Sequence, residues 1–329
     1  MEEYVFGPVI SRRLGRSLGV DPIPQKTCNW NCIYCQLGRT TPLTNERAEY
    51  TPAEEVVSQV VKAVESTGIG NIDWITFSGS GEPTLHTRLG WMIRKVKESI
   101  DLPVAVLTNG SLLFLPEVRE ALAAADAVLP NLDAGSEELF RKINRPHPEF
   151  TFQRQVEGLV AFREEYEGLL WIEVVLVSGL NDTEEALRDL VAVIRRIGPD
   201  QVHLNLPTRP PVESWVEPAA EEGLLRARAI LGDVARVFHD VEGTHDLGGY
   251  ADVVEAVLEI ISRHPMSEKE LERTLEAWFP GEIDQALSQL EASGKAYIVE
   301  RYGVRFWTGS TATYPDAIPD EPDRSGTGS

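Results

Sequence analysis

The sequence predicts an α/β chain, a partial (β/α)6 barrel followed by a small C-terminal winged-helix domain, and three observations carry that expectation. Six apolar, β-branched runs alternate with amphipathic helical stripes at a repeat of about 30 residues, the pattern of right-handed parallel β/α units. The glycine-bearing and polar segments suited to ligand binding follow the ends of those runs, where a β/α barrel keeps its working loops. After Gly248-Gly249 the pattern changes to three helices and a two-stranded hairpin. The expected boundaries are therefore 1–248 for the barrel, 249–308 for the winged helix, and 309–329 for a disordered tail rich in Thr, Ser, Pro, Gly and Asp.

Residues 4–20 form an apolar, glycine-bearing lead-in, and Ser17 to Ile23 reads as the first strand, stopped by Pro22 and Pro24. Thr51-Pro52-Ala53-Glu54 opens a helix with a cap, a first-turn proline and early acids, and Val56, Val60 and Val64 continue its apolar stripe. Strands follow at 73–77, 103–110 (leading into a turn), 127–135, 171–177 and 201–207. The helices between them cover 89–100, 116–125, 151–165 and 184–197, the last capped by Asp182 or Thr183. In the C-terminal part, 253–262 is an amphipathic helix, Ser267-Glu268-Lys269-Glu270 is a capping box, 282–293 is a further helix, and 294–307 is a hairpin.

All three cysteines of the chain, Cys28, Cys32 and Cys35, stand at C-x3-C-x2-C spacing directly after the first strand. Three thiols do not complete a structural zinc site, and neither His86 nor His147 follows at finger-like spacing. A four-iron cluster on three thiolates leaves one iron without a protein ligand. A zinc site completed by a histidine, or thiols that merely lie close together, are the plainer alternatives. Cysteine used only here also speaks against a disulfide framework.

Other residues draw attention through chemistry and position. Gly79 and Gly81, flanking Ser80 after the second strand, let backbone amides approach a ligand, and Glu82 offers a carboxylate to an ammonium. Asn109 sits at the same rim, and the period-2 pair Asn131 and Asp133 is expected to face the cavity. Arg12, Arg13 and Arg16 suit a phosphate or carboxylate, or else pair with acids elsewhere. Lys26 is either a Schiff-base amine or an ordinary charge beside the cysteines. Arg145 and His147 either bind substrate and relay a proton or belong to a capped loop.

Composition narrows the function classes. In 329 residues, 52 acidic side chains against 31 basic give a net charge of −21, which opposes broad attraction to nucleic acid or an anionic membrane. The apolar runs are strand-length rather than the ~20 residues of a bilayer span. The acidic N-terminus lacks the order of a signal peptide, so a cytoplasmic protein is expected.

The cysteine spacing with Tyr34 between the second and third thiols resembles the cluster loop of the radical S-adenosylmethionine (SAM) superfamily. The resemblance extends over about residues 15–240. It implies a 4Fe-4S cluster on Cys28, Cys32 and Cys35, and SAM held by Tyr34, the Gly79-Ser80-Gly81-Glu82 segment, Asn109, and Asp133. From the fifth and sixth strands it adds Glu173, Ser178, Asn205 and Leu206. It further implies an external electron donor of flavodoxin or ferredoxin type and hydrogen abstraction by a 5′-deoxyadenosyl radical. The opening segment and the winged helix resemble a group related to wyosine synthases, which rebuild a tRNA guanine, although the second cluster of those enzymes needs cysteines this chain lacks. Other stretches resemble glycyl-radical-enzyme activating proteins, with Glu173 where an arginine is usual. A tRNA base and a protein or peptide are thus the two substrate expectations, and an iron–sulfur redox sensor with winged-helix output is the non-enzymatic one.

Overall fold

In the computed structural model, which describes residues 3–238 and 252–315, the lead-in is itself a strand. β1 (Val5–Ser11) turns at Arg12-Arg13-Leu14 into β2 (Gly15–Val20), its antiparallel neighbour. The β/α units then run α1 (Ala53–Thr67), β3 (Trp74–Phe77), α2 (Leu89–Ser99), β4 (Val104–Thr108), α3 (Pro116–Leu122) and β5 (Ala127–Pro130). Two helices, α4 (Glu137–Ile143) and α5 (Phe152–Glu165), lead to β6 (Leu169–Val175). α6 (Glu184–Ile197), β7 (Gln201–Asn205), α7 (Glu221–Leu231) and β8 (Ala235–Val237) complete the series. Ser136, Thr151 and Thr183 cap α4, α5 and α6 through their hydroxyls.

The sheet has eight strands rather than six, in the order β1 through β8, and every pair from β2 onward is parallel. That order never reverses, so the winding is that of a barrel rather than of a doubly wound sheet with a switch point. β1 escaped the periodicity because Gly7-Pro8 and a bulge interrupt its alternation, and β8 is too short to show any.

Period-2 alternation sorts the strands into two faces. Leu18, Val20, Ile75, Phe77, Val104, Val106, Val128, Ile172, Val174, Val202 and Leu204 pack outward under the helices in one core. Each such fully buried side chain contributes about 1.5–3 kcal/mol. Their neighbours point inward: Leu14, Trp74, Ala105, Ala127, Leu129 and Trp171 plug the end where the strands begin. Toward the strand ends the inward residues become polar, with Ser17, Asp21, Thr76, Asn131, Glu173 and Asn205 lining a cavity.

His203, inward on β7, lies between Trp171 and Phe238 at 5.2 and 4.8 Å between ring centroids. Burial, with Arg13 and Arg236 nearby, lowers it from 6.5 to about 3. It is neutral in the folded chain and takes up a proton on unfolding below its ordinary pKa, so folding stability is expected to fall as pH drops from 6.5 toward 3. Urea unfolding should lose about 2 kcal/mol more between pH 7 and pH 5 in the wild type than in His203→Phe. Equal losses in the two proteins would remove His203 from the pH dependence.

The C-terminal helices and hairpin are present with one strand more than expected: α8 (Val253–Arg263), β9 (Met266–Ser267), α9 (Glu268–Trp278), α10 (Ile283–Ala292), β10 (Ala296–Arg301) and β11 (Val304–Gly309). β9 pairs with β11, and the unit closes its own core around Val257, Ile261, Leu271, Leu275, Leu290 and Trp307. The Ser267 hydroxyl accepts from the Glu270 amide at 3.2 Å, as the capping box requires. Residues 310–315, expected to be tail, instead fold back onto the cysteine loop. Ala312 and Tyr314 are buried, and the Arg39 amide donates to the Thr313 carbonyl at 2.7 Å. Two apolar side chains at alternate positions suffice to anchor that otherwise polar stretch. Gly248-Gly249 and residues 316–329 lie outside the described residues. Among the described residues no helix is long and apolar enough to cross a membrane.

Candidate active site

The cysteine loop leaves β2 and is fastened from several sides before it reaches α1. Trp30 and Ile33 are buried, Trp30 lying edge-on to Phe140 at 5.4 Å. The Asn31 and Ile33 amides donate to the Asn144 and Ile143 carbonyls at 3.1 and 2.9 Å, which ties the loop to the end of α4. Each sulfur has an N–H donor. The Trp30 amide (3.4 Å) and Asn109 Nδ2 (3.9 Å) face Cys28, Asn144 Nδ2 faces Cys32 (3.7 Å), and Lys26 Nζ faces Cys35 (3.1 Å). Burial, then the Glu82 carboxylate, pushes the Cys28 thiol up to about 12, and burial with Asp133 nearby pushes Cys32 well above its ordinary value. Burial thus favours the protonated form of Cys28 and Cys32, and a soft metal displaces those protons on binding.

The segment after β3 approaches the loop closely. A Cβ on Gly81 would lie 2.0 Å from the Thr27 carbonyl oxygen, so only glycine fits while the Glu82 amide donates to that same oxygen at 2.9 Å. Glu82 is almost fully buried. Its Oε1 accepts from the Thr84 amide (3.0 Å), the Thr84 hydroxyl (2.6 Å) and the Thr108 hydroxyl (2.6 Å), and its Oε2 accepts from the Asn109 amide (2.7 Å). Burial raises its pKa while those four donors pull it down. The carboxylate therefore ties the rims of β3 and β4 together. Asp21, at the end of β2, accepts from the Ser80 amide (3.1 Å) and hydroxyl (2.6 Å) and meets Arg263 of α8 at 3.2 Å.

One cavity of about 470 Å³ joins these parts. Along its walls lie Cys28, Cys32, Cys35 and Tyr34, the 79–82 segment, Asn109, Asn131, Glu173, and Asn205 with Leu206. Arg12 and Arg13 line it from the β1–β2 turn, with Arg13 paired to Glu173. Arg209, Arg263 and His264 line it from the far side.

A profile of the radical SAM superfamily matches residues 23–191, from just before the cysteine loop into α6. This chain belongs to the radical SAM superfamily. A UPF0026 protein from Methanocaldococcus jannaschii is 34% identical over 82% of this chain and 85% of its own length. A protein named GTPase Obg from Brachyspira hyodysenteriae is 45% identical over 62% of this chain, but the match spans only 30% of that protein. A radical SAM methyltransferase from Sphaerobacter thermophilus shares the fold, with TM-score 0.50 at 21% identity over 67% of this chain and 66% of that one.

As a radical SAM protein the chain is an enzyme whose cofactors are a 4Fe-4S cluster and SAM. The donor set fits them. Three sulfurs, each facing an N–H donor, open into one cavity.

The structure separates several residues that the sequence placed in this radical SAM site. Asp133 does not line the cavity. It is buried beneath it, where Oδ2 accepts from the Tyr34 hydroxyl (2.6 Å) and Asn144 Nδ2 (2.7 Å) and Oδ1 from the Val175 amide (2.8 Å). Alternation fails there because β5 ends at Pro130, so Asn131 points inward but Asp133 no longer follows the pleat. Ser178 is exposed beyond β6, its amide donating to the Glu217 carbonyl at 2.9 Å. Arg16 forks onto Asp73, with 2.7 Å from Nη2 to Oδ1, and Arg145 pairs with Glu213. His147 receives Asn45 Nδ2 at 2.8 Å and lies against Phe150, away from the cavity. Lys26 stands behind the loop, outside the cavity lining, which removes the Schiff-base expectation. Conversely, Asp21 was findable as an acid at a strand end. Arg209 follows the end of β7, the kind of strand-end position the sequence reading favoured, whereas Arg263 and His264 carried no local signal, being brought in by a unit more than 200 residues from the first strand.

Proposed function

We propose that Cys28, Cys32 and Cys35 hold the 4Fe-4S cluster and that SAM lies across the inner strand ends, so that the cavity beside them receives the group to be attacked. The single observation that carries this is the one cavity onto which the three sulfurs, the 79–82 rim, Asn109, Glu173, Asn205 and Leu206 all open. When bound and reduced, the cluster supplies an electron that cleaves SAM to methionine and a hydrogen-abstracting 5′-deoxyadenosyl radical. The chain's own residues orient and enclose. Backbone at Gly79-Ser80-Gly81, with the free lone pair of Glu82 Oε2, suits an ammonium, and Tyr34, held by Asp133, stiffens the wall beside Cys32. The apolar plug at the strand starts keeps water from that end.

For the substrate, Arg12, Arg13, Arg209 and Arg263 line the cavity, but Arg13, Arg209 and Arg263 already pair with Glu173, Glu270 and Asp21, so a substrate phosphate or carboxylate would have to exchange for those carboxylates. The tRNA-base reading loses Arg16 and Arg145, both spoken for by carboxylates, and keeps only a nucleotide reaching inward. A protein or peptide substrate, including a glycyl-radical enzyme, is the second reading. We read α8 to β11 as a winged helix, in domains of 1–248 and 249–308. The exposed side of α10 carries Asp284 and Glu291, so this unit closes over the site rather than reading DNA. The electron donor is of flavodoxin or ferredoxin type and the setting cytoplasmic. Anaerobic reconstitution followed by dithionite and SAM should yield 5′-deoxyadenosine, detected by mass spectrometry, without any substrate. A fully loaded cluster that neither binds nor cleaves SAM would defeat the proposal.

A further inference from the structure

We infer that Lys26 is a positioning residue that sets the reduction potential of the cluster through Cys35, a reading that rests on the cluster being held at Cys28, Cys32 and Cys35. Three observations converge on it. The ammonium lies 3.1 Å from Cys35 Sγ and is steered there by a second hydrogen bond, 2.8 Å, to the Gly38 carbonyl. Among the described residues no carboxylate pairs with it, so the sulfurs are its counter-charge. The other donors facing the three sulfurs, the Trp30 amide and the Asn109 and Asn144 side-chain amides, are neutral.

The backbone supplies an independent argument. Lys26 has φ of 62°, in the left-handed region, which a residue other than glycine enters only against steric strain. Glycine would occupy that turn without strain. The conformation is held from both directions, by the Lys26 amide donating to the Ser80 carbonyl at 2.7 Å and by the Thr27 amide to the Pro24 carbonyl at 3.0 Å. It places the lysine stem behind the loop, away from the reaction cavity, with its head on the sulfur. The side chain thus acts on the cluster and not on the substrate.

Adding one electron to the cluster increases the negative charge shared with its sulfurs, and a fixed cation on one of them stabilises the reduced form more than the oxidised form. The electron comes from an external one-electron donor. The ammonium therefore raises the potential and brings the cluster within reach of that donor.

The test is a potentiometric titration of the reconstituted full-length protein, followed by the electron paramagnetic resonance (EPR) signal of the reduced cluster. Lys26→Met keeps the stem and removes the charge, Lys26→Gln keeps a neutral donor, and Lys26→Arg keeps the charge. The Met variant is expected to be at least tenfold harder to reduce, about 59 mV for a one-electron couple, with Gln intermediate and Arg near wild type. A Met variant with wild-type iron content and an unchanged midpoint overturns the inference. So does a Met variant that folds by circular dichroism yet loads no iron, because Lys26 would then be holding the loop. A wild-type protein that loads no cluster fails earlier, at the metal site itself.

Discussion

Cys32→Ala is expected to lose the iron–sulfur chromophore and to lower 5′-deoxyadenosine formation by roughly 10³-fold or more, about 4 kcal/mol of barrier. Two thiols cannot carry a cluster that three hold, and among the described residues no further cysteine is present to substitute. The neighbours of Cys32 are the buried Asn144, which donates rather than ligates, and Tyr34, whose hydroxyl is committed to Asp133. The fold should survive. Trp30 and Ile33 anchor the loop on either side, and Cys32 itself is only partly buried, so the far-ultraviolet circular dichroism and the melting temperature of the cluster-free proteins should agree within a few degrees. A Cys32→Ala protein that keeps its full iron content would contradict this assignment.

Gly81→Ala is expected to damage both the fold and SAM binding, although it adds a single methyl group. That methyl would meet the Thr27 carbonyl oxygen at 2.0 Å, its carbonyl carbon at 2.7 Å and Ile23 Cγ2 at 2.6 Å. Two of these atoms are backbone next to Cys28 and cannot rotate away. The loop must shift, breaking the bond from the Glu82 amide to Thr27 and displacing the first cysteine. Overpacking of this kind costs about 1–3 kcal/mol, to which a lost buried hydrogen bond adds about 1 kcal/mol. Urea unfolding of the cluster-free chain measures the first effect, and equilibrium binding of SAM to the loaded protein measures the second. Gly79→Ala is the control, since its added methyl meets nothing nearer than 3.3 Å. Equal effects from the two substitutions would show that the close approach does not matter.

The parallel strands were legible because each alternates between an outward aliphatic and an inward residue of a different kind. Ile75 and Phe77 against Trp74 and Thr76 print that alternation within four positions. The cysteine loop and the glycine rim were legible for another reason, since they are continuous in sequence. β1 was not, because Gly7-Pro8 and its bulge erase the period. Asp133 misled because the pleat stops at Pro130, and a buried acid reads the same whether it faces a cavity or braces a tyrosine. Arg16 and Arg145 found single carboxylates, Asp73 and Glu213, at 57 and 68 residues' separation, a pairing that no local pattern encodes. The contact of α8 with the site is the extreme case. Gln25 and Gln36 donate to the Ser262 and Arg263 carbonyls at 3.3 and 3.0 Å, so residues flanking the cysteines at both ends fasten the C-terminal unit.

The central claim is that three cysteines present an iron to SAM inside this cavity. The most direct measurement is the EPR spectrum of the dithionite-reduced, reconstituted protein recorded before and after SAM is added. A change in line shape and g values that saturates with SAM is expected, and Gly81→Ala should need far more SAM to reach it. A fully reduced cluster whose spectrum stays the same at saturating SAM would contradict the account.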